Sequence, residues 1–197
     1  NTIDWENESD VFNITIPADF DQTKLDRIEE KKKNSLDLYR TNKGDEWTWI
    51  TIGNLYEFAH EYERAVLVYK KVVEMDKNNI SALINLANIY DKQFSDYAEA
   101  VKYYKIIEDA GLLRTNTQLY NDFAMLYYLK MDNPAAAEDI YLRGLMEMEN
   151  SADLIANMIA FYKYENNPDK AKEYARKLVE LYPDVEMYKK QYSEFLR

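Results

Sequence analysis

A tyrosine that returns at nearly constant intervals constrains the fold of this chain most strongly. Intervals of 34, 37 and 35 residues separate Tyr56, Tyr90, Tyr127 and Tyr162. Nine or ten residues after these tyrosines come Ala65, Ala100, Ala137 and Ala171. A period of this length indicates an array of small units, each of which packs against its neighbours. The sequence therefore predicts four consecutive repeats, with a one-residue variation in the turn inside each repeat.

Each repeat is predicted to be a pair of antiparallel helices. The first helix carries a large residue, then a small one, then the tyrosine, as in Trp49, Gly53 and Tyr56. The second helix carries the alanine and then large residues four and three positions further on, such as Tyr69 and Val72. This spacing places them on one helix face. Small residues let two helices approach closely, and the aromatic residues fill the space beside the crossing.

The pattern resembles the tetratricopeptide repeat. The residues that carry the resemblance are Trp49, Gly53, Tyr56, Ala65, Tyr69 and Val72, with Pro183 at the place where the family often has proline. It covers about residues 46–184. The resemblance implies an all-α fold, a right-handed superhelical α-solenoid of helix hairpins with capping helices at both ends. Only four glycines and four prolines occur, which leaves little material for the turns of a β-sandwich or barrel.

We divide the chain accordingly, with these predicted boundaries: an extended N-terminal tail 1–22, a capping helix 23–45, repeats 46–79, 80–114, 115–150 and 151–184, and a C-terminal capping helix 185–197. Phe12, Ile14 and Ile16 alternate before Pro17, which predicts an extended tail. Helical stripes predict the two caps, from Leu25, Ile28, Leu36 and Tyr39, and from Met187, Tyr188, Tyr192 and Phe195. The run "EEKKK" is interpreted as a solvated helix face.

Turn chemistry predicts where helices begin and end. The stretches "KNNIS", "NTQ", "DNP", "ENS" and "NNPD" place Asn, Asp, Ser or Pro at helix starts, where they satisfy free backbone amides. Gly111 is predicted to end a helix with a positive φ.

Composition and motifs argue against several classes of function. A net charge of -11 opposes binding to phosphate backbones, so we expect no nucleic-acid partner. With no cysteine and one histidine, His60, the chain offers no evident metal site, and we expect neither metal nor cofactor. His60 is interpreted as a surface turn residue. The sequence contains no recognisable catalytic motif, so an enzyme is not expected.

The resemblance implies a protein-binding groove. In the family, the first helices of successive repeats line a concave surface that holds a peptide or a partner helix. The corresponding residues here are Trp47, Ile50, Asn54, Glu57, Phe58, Ile84, Asn88, Asp91, Lys92, Asn121, Met125, Tyr128, Leu129, Ala156, Ala160, Lys163 and Tyr164. Phe58, Tyr128 and Tyr164 are the predicted aromatic anchors. Asn54 and Asn88 either hold a peptide backbone or are simply common at this place in the repeat, and both interpretations stay open.

The charge of the predicted groove bears on the partner. Some family members clamp a terminal carboxylate with asparagines and basic residues. Asn54 and Asn85 match two of those places, but Ile50, Gln118 and Asp122 occupy the basic ones. Beyond Lys92 a carboxylate finds no compensating charge, so a neutral or basic segment with hydrophobic anchors is the better partner.

The sequence therefore predicts a non-catalytic protein–protein interaction scaffold. Two alternatives remain: an export or assembly chaperone for a secreted or membrane client, and a structural module whose groove is filled by its own tail, through "VFNITIP".

We expect a monomer or weak homodimer. No apolar run reaches the ~18 residues of a membrane span. Because the chain begins at Asn1, we expect an extracytoplasmic soluble domain that lost an N-terminal anchor or leader, with a cytoplasmic protein as the alternative.

Overall fold

The computed structural model describes residues 2–195, of which 115 and 194 only by their backbone, and these residues form helices and no strand. They divide into two compact units, which meet in the sequence between Ala110 and Gly111. The helices of unit 1 are α1 Glu8–Val11, α2 Gln22–Asn42, α3 Glu46–Phe58, α4 Tyr62–Met75, α5 Ile80–Lys92 and α6 Tyr97–Asp109.

Unit 2 begins with a 3-10 turn, Leu113–Thr115. Its helices are α7 Thr117–Met125, which continues as a π-helical turn Leu126–Lys130, then α8 Pro134–Glu147, α9 Ala152–Tyr164, α10 Pro168–Leu181 and α11 Glu186–Gln191, followed by a 3-10 turn Ser193–Phe195. In unit 1, α3 pairs with α4 and α5 with α6; in unit 2, α7 pairs with α8 and α9 with α10.

The small residue of the first repeat sets the distance between its two helices. A methyl group added at Gly53 would lie 2.4 Å from a ring carbon of Tyr69, which is fully buried. Glycine therefore lets the tyrosine of α4 lie directly on the backbone of α3. In unit 2, Gly144 of α8 has the same role, because an added methyl would lie 2.9 Å from the ring of Tyr120.

Side-chain caps begin the helices where turn chemistry predicts them. The side chains of Asn79, Asn116, Asn133, Ser151 and Asn167 each accept a backbone N–H in the first turn of α5, α7, α8, α9 and α10. Pro134 and Pro168 follow two of these caps directly. Gly111 has φ +68°, which confirms its predicted conformation after α6.

The one-residue variation of the repeat lies before the second helix. Residues with a left-handed backbone directly precede the caps of α4, α6, α8 and α10; these are His60, Ser95, Asp132 and Asn166. From each cap residue to the repeat alanine the distance is always four residues. The added residue therefore falls between the tyrosine and the cap, and in the third repeat the π-helical turn accommodates it.

The tail is not extended throughout. Residues Glu8–Val11 form the short helix α1, because the side chain of Asn7 accepts the backbone N–H groups of Ser9 and Asp10. Ile3, Val11 and Phe12 are buried in the core of unit 1.

Two predicted segments extend past the described range. Residue 1 of the tail and residues 196–197 of the C-terminal cap lie outside it. Among residues 2–195, no helix is both long enough and apolar enough to cross a lipid bilayer.

Candidate functional site

The predicted groove residues of unit 1 lie on the first helices α3 and α5, and we call this surface the first-helix face of unit 1. Trp47 is 59% exposed and Lys92 is exposed, whereas Asn54, Phe58, Ile84 and Asn88 are half-buried. Ile50 is only 4% exposed and belongs to the hydrophobic core of the unit. Its predicted place on the groove surface is therefore wrong, because packing encloses the side chain.

The two asparagines of this face differ in their bonding. The Tyr69 hydroxyl lies 2.7 Å from Asn54 Oδ1 and 2.5 Å from Glu57 Oε2, so that it donates to an acceptor of α3. Asn85 Nδ2 also donates to Asn54 Oδ1, at 3.4 Å. Asn54 is thus engaged in joining α3 to α4 and α5. The side chain of Asn88 is half-buried and makes no hydrogen bond to another residue that the structure describes.

Burial changes the pKa values of Glu57 and Tyr69. Loss of solvation raises the pKa of Glu57, and the Tyr69 hydroxyl bond and the charge of Lys92 counter only part of this effect. Burial, with the neighbouring Glu57, also raises the pKa of Tyr69, so its hydroxyl stays protonated and acts as a donor.

The predicted anchor Phe58 is covered by residues of its own chain. The Phe20 ring packs edge-on at 5.4 Å between ring centroids. The cations of Arg27 and Lys31, on α2, lie 5.1 and 5.6 Å from the centre of the Phe58 ring. The "EEKKK" run is thus not wholly a solvated face, because Lys31 is half-buried. The four-residue spacing of Arg27 and Lys31 places both on one helix face, and this is the sequence signal from which their shared contact could have been predicted.

A small cleft lies beside Phe58, between α2 and α3. Its volume is about 250 Å³, and it is lined by Lys31, Asn34, Ser35, Trp47, Thr51 and Asn54. Four of these residues carry uncharged polar side chains, so the cleft offers hydrogen-bonding groups beside one cation and one exposed indole.

The hydrophobic part of the tail lies on the opposite side of α3. The Tyr56 hydroxyl donates to the carbonyl of Val11 at 2.5 Å. Because successive helical residues are ~100° apart, Tyr56 projects from the side of α3 opposite to Asn54. The Phe12 ring packs edge-on against Tyr39, at 5.6 Å. "VFNITIP" therefore does not fill the predicted groove; of the tail, Phe20 covers one groove residue, Phe58.

The groove residues of unit 2 lie on α7, its π-helical turn and α9, which form the first-helix face of unit 2. The Tyr141 hydroxyl donates to Asn121 Oδ1 at 2.8 Å, which parallels the bond between Tyr69 and Asn54. Gln118 and Asp122 occupy positions that are basic in some family members. Here Gln118 Nε2 donates a hydrogen bond to Asp122 Oδ1 at 2.7 Å. Met125 is half-buried.

The aromatic anchors of unit 2 differ in exposure. Tyr128 packs edge-on against Phe161 at 5.4 Å, and a hydrogen bond with Glu165 raises the pKa of Tyr128. Tyr164 is 71% exposed and Leu129 is 63% exposed. Both stand two residues after their repeat tyrosine, which is also the position of Phe58 in the first repeat.

His60, the single histidine, is exposed in the turn before α4, where its ring stacks at 6.1 Å from Tyr62 and meets Phe20 edge-on at 5.6 Å. The described residues contain no group of three or more acidic, histidine or cysteine side chains placed to hold a metal ion.

Comparison with known families bears on the repeat directly. Tetratricopeptide repeat models match residues 48–79, 82–107 and 158–184, which fall in the first, second and fourth predicted repeats. The chain is a tetratricopeptide repeat protein. The predicted all-α class of helix hairpins is thereby confirmed. Tetratricopeptide repeats are generally non-catalytic interaction modules, and the chain is a protein-interaction scaffold with a protein or peptide partner.

Solved structures include similar chains. YrrB, described as a TPR protein with an unusual peptide-binding site, is 22% identical with a TM-score of 0.49, over 78% of this tetratricopeptide protein and 95% of that chain. A chain of the APC/C hetero-tetramer Cut9-Hcn1 is 13% identical with a TM-score of 0.38, over 86% of this chain and 46% of that one. No curated protein sequence matches the chain.

Proposed function

We propose that this tetratricopeptide protein binds a segment of a partner protein on the first-helix face of unit 2, and that the segment carries aromatic and basic side chains. The observation that carries the proposal is the repeat position two residues after the tyrosine. In the first repeat this position is Phe58, which the chain itself covers. In the third and fourth repeats it is Leu129 and Tyr164, which stay exposed.

The cover over Phe58 indicates the chemistry that suits this position. One ring edge and two cations contact the aromatic side chain there, from Phe20, Arg27 and Lys31. A partner segment that presents the same groups to Tyr164 gains an aromatic contact and a cation–π interaction. The net charge of -11 also favours a basic segment over an acidic one.

Unit 1 offers a separate, more polar surface. Trp47 is exposed beside the cleft between α2 and α3. The half-buried side chain of Asn88 has no hydrogen-bond partner among the described residues. An asparagine amide donates and accepts, so it suits the backbone of an extended peptide.

A random peptide library displayed on phage and selected against the immobilised chain tests this proposal. We expect the enriched sequences to contain aromatic residues together with Lys or Arg. Synthetic copies of the selected peptides are then titrated by calorimetry into the unaltered chain and into the Tyr164→Ala variant. We expect the variant to bind them at least 10-fold more weakly, since a central aromatic anchor contributes about 2 kcal/mol or more. Leu129→Ala is expected to weaken binding as well.

Met146→Ala is the matched control, because Met146 is 81% exposed but lies on the second helix α8. This variant is expected to bind with unchanged affinity. Enrichment of acidic sequences, or equal binding by Tyr164→Ala and the unaltered chain, would contradict the proposal.

A further inference from the structure

Residues 2–16 lie against a face of unit 1 formed by α2, α3 and α4, and main-chain hydrogen bonds hold part of this segment. The Tyr39 hydroxyl donates to the carbonyl of Trp5 at 2.8 Å, and the Tyr56 hydroxyl donates to that of Val11 at 2.5 Å. The guanidinium of Arg64 donates to the carbonyl of Asp10. Side chains that bind main-chain carbonyls are a feature of peptide recognition, because they hold the backbone of the occupant.

Aromatic and apolar side chains anchor the segment between these bonds. Trp5 packs edge-on against Trp49, at 5.5 Å between ring centroids. The ammonium group of Lys71 lies 5.3 Å from the Trp5 ring and 4.7 Å from the Trp49 ring. Val11 and Phe12 are buried. The face thus accepts one indole under a cation and two adjacent apolar side chains.

The segment and the face carry opposite charges that pair along the length of the segment. Acidic residues at every second position of the segment meet basic residues of the body, in the pairs Glu6 with Lys43, Glu8 with Arg40 at 2.6 Å and Asp10 with Arg64 at 3.7 Å. The pair of Asp10 with Arg64 is half-buried and the other two are more exposed. Exposed ion pairs add little stability, but complementary charges select the partner and its register. Basic groups gathered on one face of a chain with net charge -11 favour an acidic occupant.

We infer that this face of α2, α3 and α4 is a second peptide-binding site, and that residues 2–16 are its resident occupant. Its external partner is a protein segment with an aromatic residue, acidic residues at alternate positions and two adjacent apolar residues. The site lies opposite Asn54 on α3 and is independent of the first-helix faces proposed above. Binding of the partner requires that residues 2–16 leave.

The connection to α2 makes this exchange possible and also limits it. Residues 17–21, which connect this segment to α2, contain no helix, and five residues span about 17 Å when extended. A short flexible connection gives a resident segment an effective concentration of about 1 mM. If the free peptide binds the vacant face at about 10 µM, the resident segment weakens apparent binding about 100-fold.

The test cuts this connection after folding. A protease recognition sequence is inserted between Ala18 and Asp19, both of which are exposed. The probe is a fluorescent peptide with the sequence of residues 2–16, titrated by polarisation into the intact and the cut chain. We expect saturable binding to the cut chain, at least 10-fold tighter than to the intact chain.

Control peptides and variants locate the binding. A peptide with Trp5→Ala is expected to bind at least 10-fold more weakly, and one with Glu6→Gln, Glu8→Gln and Asp10→Asn is expected to lose its salt dependence. Tyr164→Ala in the body is expected to leave peptide binding unchanged, which separates this site from the first-helix face of unit 2.

Three results would overturn the inference. Equal binding to intact and cut chains would place the peptide elsewhere. A cut chain that keeps its helical circular dichroism but binds no peptide would make residues 2–16 a permanent part of the core. A cut chain that loses its helical signal would show that the segment is required for folding.

Discussion

Replacing Gly53 with alanine tests the packing on which the repeat depends. The added methyl group would lie 2.4 Å from a ring carbon of Tyr69, far inside van der Waals contact. The ring has little room to retreat, because it is fully buried and its hydroxyl is bonded to Asn54 and Glu57. Overpacking of this kind costs about 1 to 3 kcal/mol, and the helix propensity of alanine returns about 1 kcal/mol. With so short a contact we expect a net loss of about 1 to 2 kcal/mol.

Urea unfolding followed by circular dichroism measures this loss. Gly44→Ala is the matched control, since an added methyl there meets nothing within 4 Å, and its stability is expected to be nearly unchanged. A double-mutant cycle isolates the cause. Against the background of Tyr69→Ala, which removes the ring, Gly53→Ala is expected to be neutral or stabilising. The reasoning is refuted if Gly53→Ala is as stable as the unaltered chain, or if its cost persists without the ring.

Three further predictions follow from the turns, the buried carboxylate and the caps. Ser95 has φ 53°, a conformation that glycine adopts without strain, so Ser95→Gly is expected to stabilise by about 0.5 to 1 kcal/mol in urea unfolding, while Ser95→Val destabilises. Burial raises the pKa of Glu57, so the folded chain holds a proton that the unfolded chain releases, and this contribution to stability falls as pH rises from the unfolded pKa through the folded pKa. Glu57→Gln is therefore expected to flatten the pH dependence above about pH 4.3, and an unchanged slope would contradict the assignment. Asn167 caps α10, and Asn167→Ala is expected to cost about 1 kcal/mol, with Asn78→Ala, outside any cap, as the control.

Local rules made the repeat predictable. The size pattern at Gly53 and Tyr69 is set by two helices in contact, and the caps at Asn79 and Asn133 by unpaired amides of the first turn. Both features are determined by residues of the same repeat, so they recur with the repeat and can be recognised from the sequence. The left-handed residues before the second helices were not predicted, because four different residue types share that conformation and none is glycine.

The surface was less predictable than the repeat, because it depends on elements outside the period. Phe58 matched the groove position of its family, but what covers it comes from Phe20 and from α2, which have no counterpart in the other repeats. Ile50 likewise matched by position and is buried by packing that its own helix does not encode.

The two sides of α3 therefore differ in what they select. On one side, cations from α2 lie over Phe58. We propose that the equivalent positions of unit 2, which are exposed, bind aromatic and basic side chains. On the other side, Arg64 and Lys71 meet an acidic segment that carries Trp5. Because like charges repel and each face needs its complement, one segment cannot satisfy both. We therefore expect the cut chain to bind two peptides at the same time: a basic peptide selected by the first-helix face and the acidic peptide of residues 2–16. Neither peptide should displace the other, and mutual displacement would show that the two sites are one.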